Sequence, residues 1–185
     1  GRGRHFVNCG RPLPSFEIEV RDDDGRKLED WKSGVIHVRG PSVMSGYFNT
    51  PEDPGCALSK DGWLNTGDIG YLVDGTITIT GRKKDVIITG GENIYPVEIE
   101  DFLQAHPHIH DVAVIGLPSL RLGEIATAVI QVKAGEELTE EEIDAFCQAL
   151  PRYKRPRRII FGDVPRNPTG KIEKPKLRKT YAGMT

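Results

Sequence analysis

The chain has 185 residues, 37% hydrophobic and 28% charged, with a formal net charge of −2, a size that suits one ordinary domain or two small ones. Nothing in that balance draws the whole protein onto nucleic acid or an anionic membrane, and no apolar run is long enough to span a bilayer. No secretory signal opens the sequence, and the first residue is Gly rather than Met, so a processed or truncated piece is expected.

Up to about Gly81 the pattern is short β runs and turn signals. Residues 16–21 alternate Phe16, Ile18 and Val20 with Glu17, Glu19 and Arg21, as a half-buried strand does. Asp24-Gly25 signals a turn, and residues 35–39 form a second candidate strand. Residues 69–73 and 76–80 flank Asp74-Gly75, the strongest short-range hairpin signal. Pro51 with Glu52 and Asp53 suits the first turn of a short helix after Thr50. After Gly81 helices and strands mix. Pro96 opens a helix with Ile99, Phe102 and Leu103 on one face and acidic residues in its first turns. Residues 112–117 and 126–132 predict buried strands. Thr139 and Glu142 predict a capping box ahead of Ile143, Phe146, Cys147 and Leu150. Residues 158–161 predict a further strand, and Pro175 a last helix ending near Tyr181. The expected fold class is α+β: a small β-rich lobe over residues 1–81, then a compact two-layer α/β domain over 82–185 with order β-α-β-β-α-β-α. Arg82-Lys83-Lys84-Asp85, four consecutive charges on the seam, predict a hinge.

Cys9, Cys56 and Cys147 form no CxxC pair, which fits reduced packing thiols in a cytoplasm. His106, His108 and His110 alternate, but no Cys or further His closes a ligand set, so no metal site is expected. Arg152, Lys154, Arg155, Arg157 and Arg158 predict a solvated basic face balancing acidic residues 136–144, with CoA phosphates as the alternative partner.

Four segments carry chemistry in combination. They are Gly34-Val35-Ile36-His37-Val38-Arg39-Gly40 with Gly46-Tyr47; Trp63-Leu64-Asn65-Thr66-Gly67-Asp68-Ile69-Gly70; Gly81-Arg82-Lys83-Lys84-Asp85 through Gly90-Gly91-Glu92-Asn93-Ile94-Tyr95-Pro96 to Glu98-Ile99-Glu100; and Pro165 to Gly170-Lys171-Ile172. In order and spacing they resemble the last third of the adenylate-forming superfamily, which includes acyl-CoA synthetases, peptide-synthetase adenylation domains and luciferases. The resemblance implies a carboxylic acid activated by Mg-ATP as an acyl-adenylate, then transferred to the thiol of CoA or of an acyl carrier protein. It also implies a C-terminal domain that docks on its own N-terminal domain and swings about a hinge between the two steps.

The same resemblance assigns roles residue by residue, and each has a plainer competitor. Asp68 matches the ribose-binding Asp, although Gly-Asp is more often a simple turn. Arg82 matches an Arg that reaches the nucleotide, against a solvated charge in a basic run. Lys84 falls at the hinge position, against an ordinary surface Lys. Gly90 and Gly91 match the loop lining the pantetheine channel, against a Gly-Gly turn between a strand and a helix. Lys171 matches the lysine that bridges the carboxylate and the α-phosphate of ATP, against a solvated Lys after a Gly turn. Its context also resembles that in which the family's lysine is acetylated. Lys174 and Pro175 stand where many relatives carry Arg.

The superfamily's glycine-rich phosphate loop, acid pocket and Mg²⁺ ligand do not occur in the sequence, so the 185 residues alone are expected to be inactive. Three functions are open at this stage. They are a CoA ligase for a fatty or aryl acid, a fatty acyl-AMP ligase loading a carrier protein, and a non-catalytic module that binds a nucleotide, CoA or a partner.

Overall fold

The computed structural model describes residues 7–46 and 58–183, so the helix expected after Thr50, Tyr47 and Cys56 lie outside the described residues. The chain divides after Lys84 into two compact units. The fold is α+β: a β-rich lobe, then a mixed α/β unit.

The first unit is an antiparallel sheet of β1 (Val7–Gly10), β2 (Glu17–Arg21), β3 (Gly34–Arg39), β4 (Leu64–Val73) and β5 (Thr76–Arg82), in the order β1-β5-β4-β3-β2. Asp74 (φ 49°) and Gly75 (φ 72°) both adopt left-handed backbone, the type I′ geometry whose twist matches the strands it joins. One face of the sheet buries Val20, Ile36 and Ile77, with Ile18, Val38, Leu72 and Ile79 packed around them. Trp63 is buried, and the guanidinium carbons of Arg21 and Arg39 lie 4.8 and 4.7 Å from its ring centroid. Gly70 is demanded by close approach: a Cβ there would sit 2.2 Å from the Thr78 carbonyl oxygen and 2.9 Å from Ile36 Cδ1. β4 begins at Leu64, five residues before the predicted strand, which brings Thr66-Gly67-Asp68 into the sheet beside β5. Cys9 is exposed, which corrects the expectation of a packing thiol.

The second unit contains β6 (Ile87–Thr89), β7 (Glu92–Ile94), α1 (Pro96–Gln104), β8 (Ile109–Ser119), β9 (Gly123–Val132), α2 (Glu140–Cys147), β10 (Arg158–Phe161) and α3 (Lys174–Tyr181). β9 runs antiparallel to β8 and parallel to β10, and β6 pairs antiparallel with both β9 and β7. Along β8, Val112 and Val114 join the cluster under α1 and α2, while Ala113, Ile115 and Leu117 join Leu177 of α3. Helices therefore cover both faces, which is why β8 and β9 are continuous apolar runs rather than alternating ones. The capping box forms in full: Thr139 Oγ1 accepts from Glu142 N–H at 3.2 Å, and Glu142 Oε2 accepts from Thr139 N–H at 2.8 Å.

Two expectations change here. The predicted order omitted β7, so Gly90-Gly91 (φ 57° and 87°) turns between two strands rather than between a strand and a helix. Three residues with two polar side chains, Glu92-Asn93-Ile94, carry too little periodicity to announce a strand. The basic segment is also less solvated than expected. Lys154 pairs with Glu98 of α1, and Arg155 donates to the Gln148 and Leu150 carbonyls at 2.9 Å each, closing the C-terminal end of α2.

Candidate functional site

In the first unit, Asp68 and Arg82 face each other across the β4–β5 ladder, and Arg82 Nε lies 2.7 Å from Asp68 Oδ1. The turn before Asp68 is built locally. Asn65 Oδ1 accepts from Gly67 N–H at 2.9 Å, Gly67 takes φ 71°, and Thr66 Oγ1 accepts from Asp68 N–H at 3.1 Å. Thr66 Oγ1 also donates to the Ile36 carbonyl at 2.9 Å, which ties the turn to β3. Asp68 is therefore more than a turn residue: its backbone is held from two sides and its carboxylate is oriented by a guanidinium. Lys83–Asp85 form a single 3-10 turn in which Lys84 is exposed.

In the second unit, Lys171 stands on the loop between β10 and α3. Gly170 N–H donates to the Asn167 carbonyl at 2.8 Å, and Asn167 N–H to the Lys171 carbonyl at 2.9 Å, making a tight hairpin closed by the Arg166–Ile172 bridge. Gly170 takes φ 82°, a conformation a non-glycine residue adopts only with strain. Asn167 Oδ1 accepts from Thr169 N–H (3.1 Å), Thr169 Oγ1 (2.8 Å) and Lys171 N–H (2.9 Å). The Lys171 side chain is exposed, on a backbone that is fully engaged.

Sequence reasoning missed what holds this loop to the unit. Arg166 donates through Nε to Asp111 Oδ2 at 2.7 Å, through Nη2 to Asp111 Oδ1 at 2.9 Å, and through Nη1 to the Gly170 carbonyl at 2.6 Å. Burial alone would raise the Asp111 carboxyl, but Arg166 and the Val112 N–H outweigh it and hold it below the usual aspartate range. The hydrogen bond to Asp111 raises Arg166 in turn. Fifty-five residues separate the pair, so no local pattern announces it. The Asn-Pro-Thr-Gly turn was the available signal for Asn167.

Gly90 and Gly91 occupy a different loop of the same unit. Gly90 N–H donates to the Leu122 carbonyl at 2.9 Å, and a Cβ on Gly91 would meet nothing within 4 Å. The predicted residues thus fall in four places: Asp68 with Arg82, the turn of Lys84, the Gly90-Gly91 hairpin, and the Lys171 loop. Among the described residues no group of three or more His, Cys, Asp or Glu could hold a metal ion. His106 sits edge-on to Phe146 at 4.9 Å, and burial together with His108 lowers its pKa.

A family model for the AMP-binding enzyme C-terminal domain matches residues 98–171, and one for AMP-binding enzymes matches residues 2–48. The long-chain-fatty-acid–CoA ligase FadD13 of Mycobacterium tuberculosis is 42% identical over 182 residues, covering 97% of this chain and 36% of that protein. The mitochondrial medium-chain acyl-CoA ligase ACSF2 of Macaca fascicularis is 42% identical over 176 residues, covering 93% and 28%. Among solved structures, ATP-bound MatB from Rhodopseudomonas palustris superposes with a TM-score of 0.88 at 37% identity, covering 96% of this chain and 36% of that one. Bacillus subtilis o-succinylbenzoate CoA synthetase (MenE) with its acyl-adenylate OSB-AMP superposes with a TM-score of 0.83 at 35% identity, covering 92% and 35%. The chain spans about a third of the length of the curated relatives it matches. With both family models matched in order and this likeness running along nearly its whole length, the chain belongs to the AMP-forming acyl-CoA synthetase superfamily and corresponds to the C-terminal part of its members.

Proposed function

We propose that the chain serves an ATP-dependent ligase that activates a carboxylic acid as its acyl-adenylate and passes the acyl group to CoA. The observation that carries this is the Lys171 loop, which holds a lysine in solvent on a backbone fixed by Asn167 and Arg166. In the first step a substrate carboxylate oxygen bonds to the α-phosphorus of ATP, and the bond to the departing pyrophosphate breaks. Two anions must approach, and the Lys171 ammonium supplies the charge that lets them meet. In the second step the CoA sulfur, having lost its proton, bonds to the acyl carbon while AMP departs. Asp68 accepts hydrogen bonds from the ribose hydroxyls, with Arg82 orienting its carboxylate through the 2.7 Å pair. The hairpin at Gly90 and Gly91, bare of side chains, lines the path of the pantetheine arm. Lys84, exposed in a single turn, is the hinge about which Lys171 and Gly90-Gly91 exchange places over the adenylate, docked on the protein's large N-terminal domain. Mg²⁺ travels with ATP and is held mainly by the large N-terminal domain.

CoA is favoured over a carrier protein as acceptor because the similar proteins are named as CoA ligases, for long-chain and medium-chain acids among others. The thiol usage of the sequence supports a cytoplasmic setting, and no helix among the described residues is long and apolar enough to cross a membrane. The test uses the full-length enzyme with ATP, Mg²⁺, CoA and a panel of fatty and aryl acids, following adenylate and thioester by mass spectrometry. Acyl-CoA that forms in the native protein and is lost in Lys171→Ala is the expected result. Adenylate that accumulates without acyl-CoA would overturn the choice of acceptor.

A further inference from the structure

We infer that Arg166 is a positioning residue for Lys171, setting the backbone from which the lysine reaches its anions through a fork anchored on Asp111 of β8. This deepens the adenylation role proposed above and rests on it. A lysine ammonium on four methylenes cannot be aimed by its own side chain, so only the place where that chain leaves the backbone can be fixed. Three nitrogens of Arg166 act together. Nε and Nη2 grip both oxygens of Asp111 at 2.7 and 2.9 Å, while Nη1 holds the Gly170 carbonyl, the peptide unit entering Lys171, at 2.6 Å.

The anchor is rigid. Asp111 leads directly into Val112, Ala113, Val114 and Ile115, each no more than 2% exposed, on a strand packed from both faces. Its side chain is 14% exposed and also accepts from Val112 N–H at 2.9 Å, so one carboxylate oxygen has a hold on the strand that does not depend on Arg166. Asn167 holds the other side of the same peptide group, accepting from Lys171 N–H at 2.9 Å. The Gly170–Lys171 peptide is thereby gripped at both its carbonyl and its N–H, and Arg166 supplies the only one of these two bonds that leads back to the sheet. Stability of the fold alone would ask for a grip on Asp111; the third bond, into the lysine's own peptide, has its use in the chemistry.

The experiment separates the two half-reactions in the full-length enzyme: pyrophosphate exchange with ATP and acid for adenylation, and CoA thioester formation from supplied acyl-adenylate. Arg166→Lys keeps a charge but cannot hold two carboxylate oxygens and a carbonyl at once, and Asp111→Asn removes the anchor with little change of shape. Each is expected to lower the adenylation kcat by about 10- to 100-fold, the scale on which small misplacements of a reacting group act. The KM for ATP should move less than about threefold and thioester formation less than about twofold, because Lys171 is not used there. The double variant should be no worse than the poorer single one, since both changes break one connection. A merely structural role would lower both half-reactions by one common factor, and that outcome overturns the inference, as does adenylation within about twofold of the native rate. Lys171→Ala is run beside them: if it spares adenylation, the proposed role of Lys171 fails first, an outcome distinct from failure of Arg166 alone.

Discussion

Replacing Lys174 by Met should destabilise the second unit by about 3 kcal/mol, because it strands a carboxylate in the interior. Lys174 opens α3, and its Nζ lies 2.7 Å from Glu100 Oε1 of α1, with the two side chains 11% and 13% exposed. The same Glu100 oxygen accepts from the Val114 N–H of β8 at 2.7 Å, so it cannot turn to water without breaking the strand's bond. Met fills the volume of the lysine stem, which confines the effect to the lost charge. With a urea m-value of about 1.5 kcal/mol per M for a unit of this size, the midpoint should fall by about 2 M. The probe must report the right unit. Both Trp residues, Trp31 and Trp63, lie in the first, whereas α1, α2 and α3 lie in the second, so circular dichroism at 222 nm is the appropriate signal. Adding Glu100→Gln removes the buried charge yet leaves an oxygen for Val114, and should restore about 1 M of the loss. A shift under about 0.5 M in the single variant, or a double variant no more stable than the single, would refute the account.

Gly70→Ala should destabilise the first unit by about 1–3 kcal/mol, read by tryptophan fluorescence in urea, because the new methyl meets at 2.2 Å the Thr78 carbonyl oxygen, a backbone atom of the β4–β5 ladder. Burial pushes the Cys147 thiol up to about 11, so at pH 8 an alkylating reagent should modify Cys9 and leave Cys147 untouched until the protein unfolds, as peptide mass spectrometry would show. Asp111 is held below its ordinary value, so its contribution to stability is present above the unfolded pKa of about 3.9 and is lost as pH falls through the folded value. Asp111→Asn should accordingly flatten the loss of stability below about pH 4 in a series of urea melts at stepped pH.

The elements that declared themselves in the sequence are those whose cause is local. Asp74-Gly75 needs two left-handed residues and has them; Thr139 and Glu142 are three apart and close their box; Pro96 starts a helix that buries Ile99 and Leu103. The first half of β4 is hidden in the sequence because Asn65, Thr66 and Gly67 carry turn chemistry, and tertiary pairing with His37 and Val38 of β3 overrides it. The site divides along the same line. Asp68 and Arg82 are cross-strand partners whose meeting depends on strand register, and resemblance named them where residue patterns did not. Lys171 has no physical mark of its own, being exposed and lacking a side-chain partner among the described residues; its supports Arg166 and Asn167 distinguish it.

Segment 165–181 shows why the charged pairs of the second unit matter more than their number suggests. α3 has eight residues and buries one large apolar side chain, Leu177, so neither helix propensity nor burial suffices to hold it. Three ion pairs tie the segment to three different elements: Arg166 to Asp111 of β8, Lys174 to Glu100 of α1, and Arg178 to Asp85 at the start of the unit at 3.0 Å. In each, the acidic partner is held elsewhere in the unit with 13–19% of its side chain exposed, while the basic one belongs to the C-terminal segment. A purely apolar attachment would fix the depth of α3 but let it slide along the sheet, whereas three directional contacts fix its register as well. Register is what a loop presenting Lys171 needs, because a displacement of one residue along α3 would carry the lysine by about 1.5 Å.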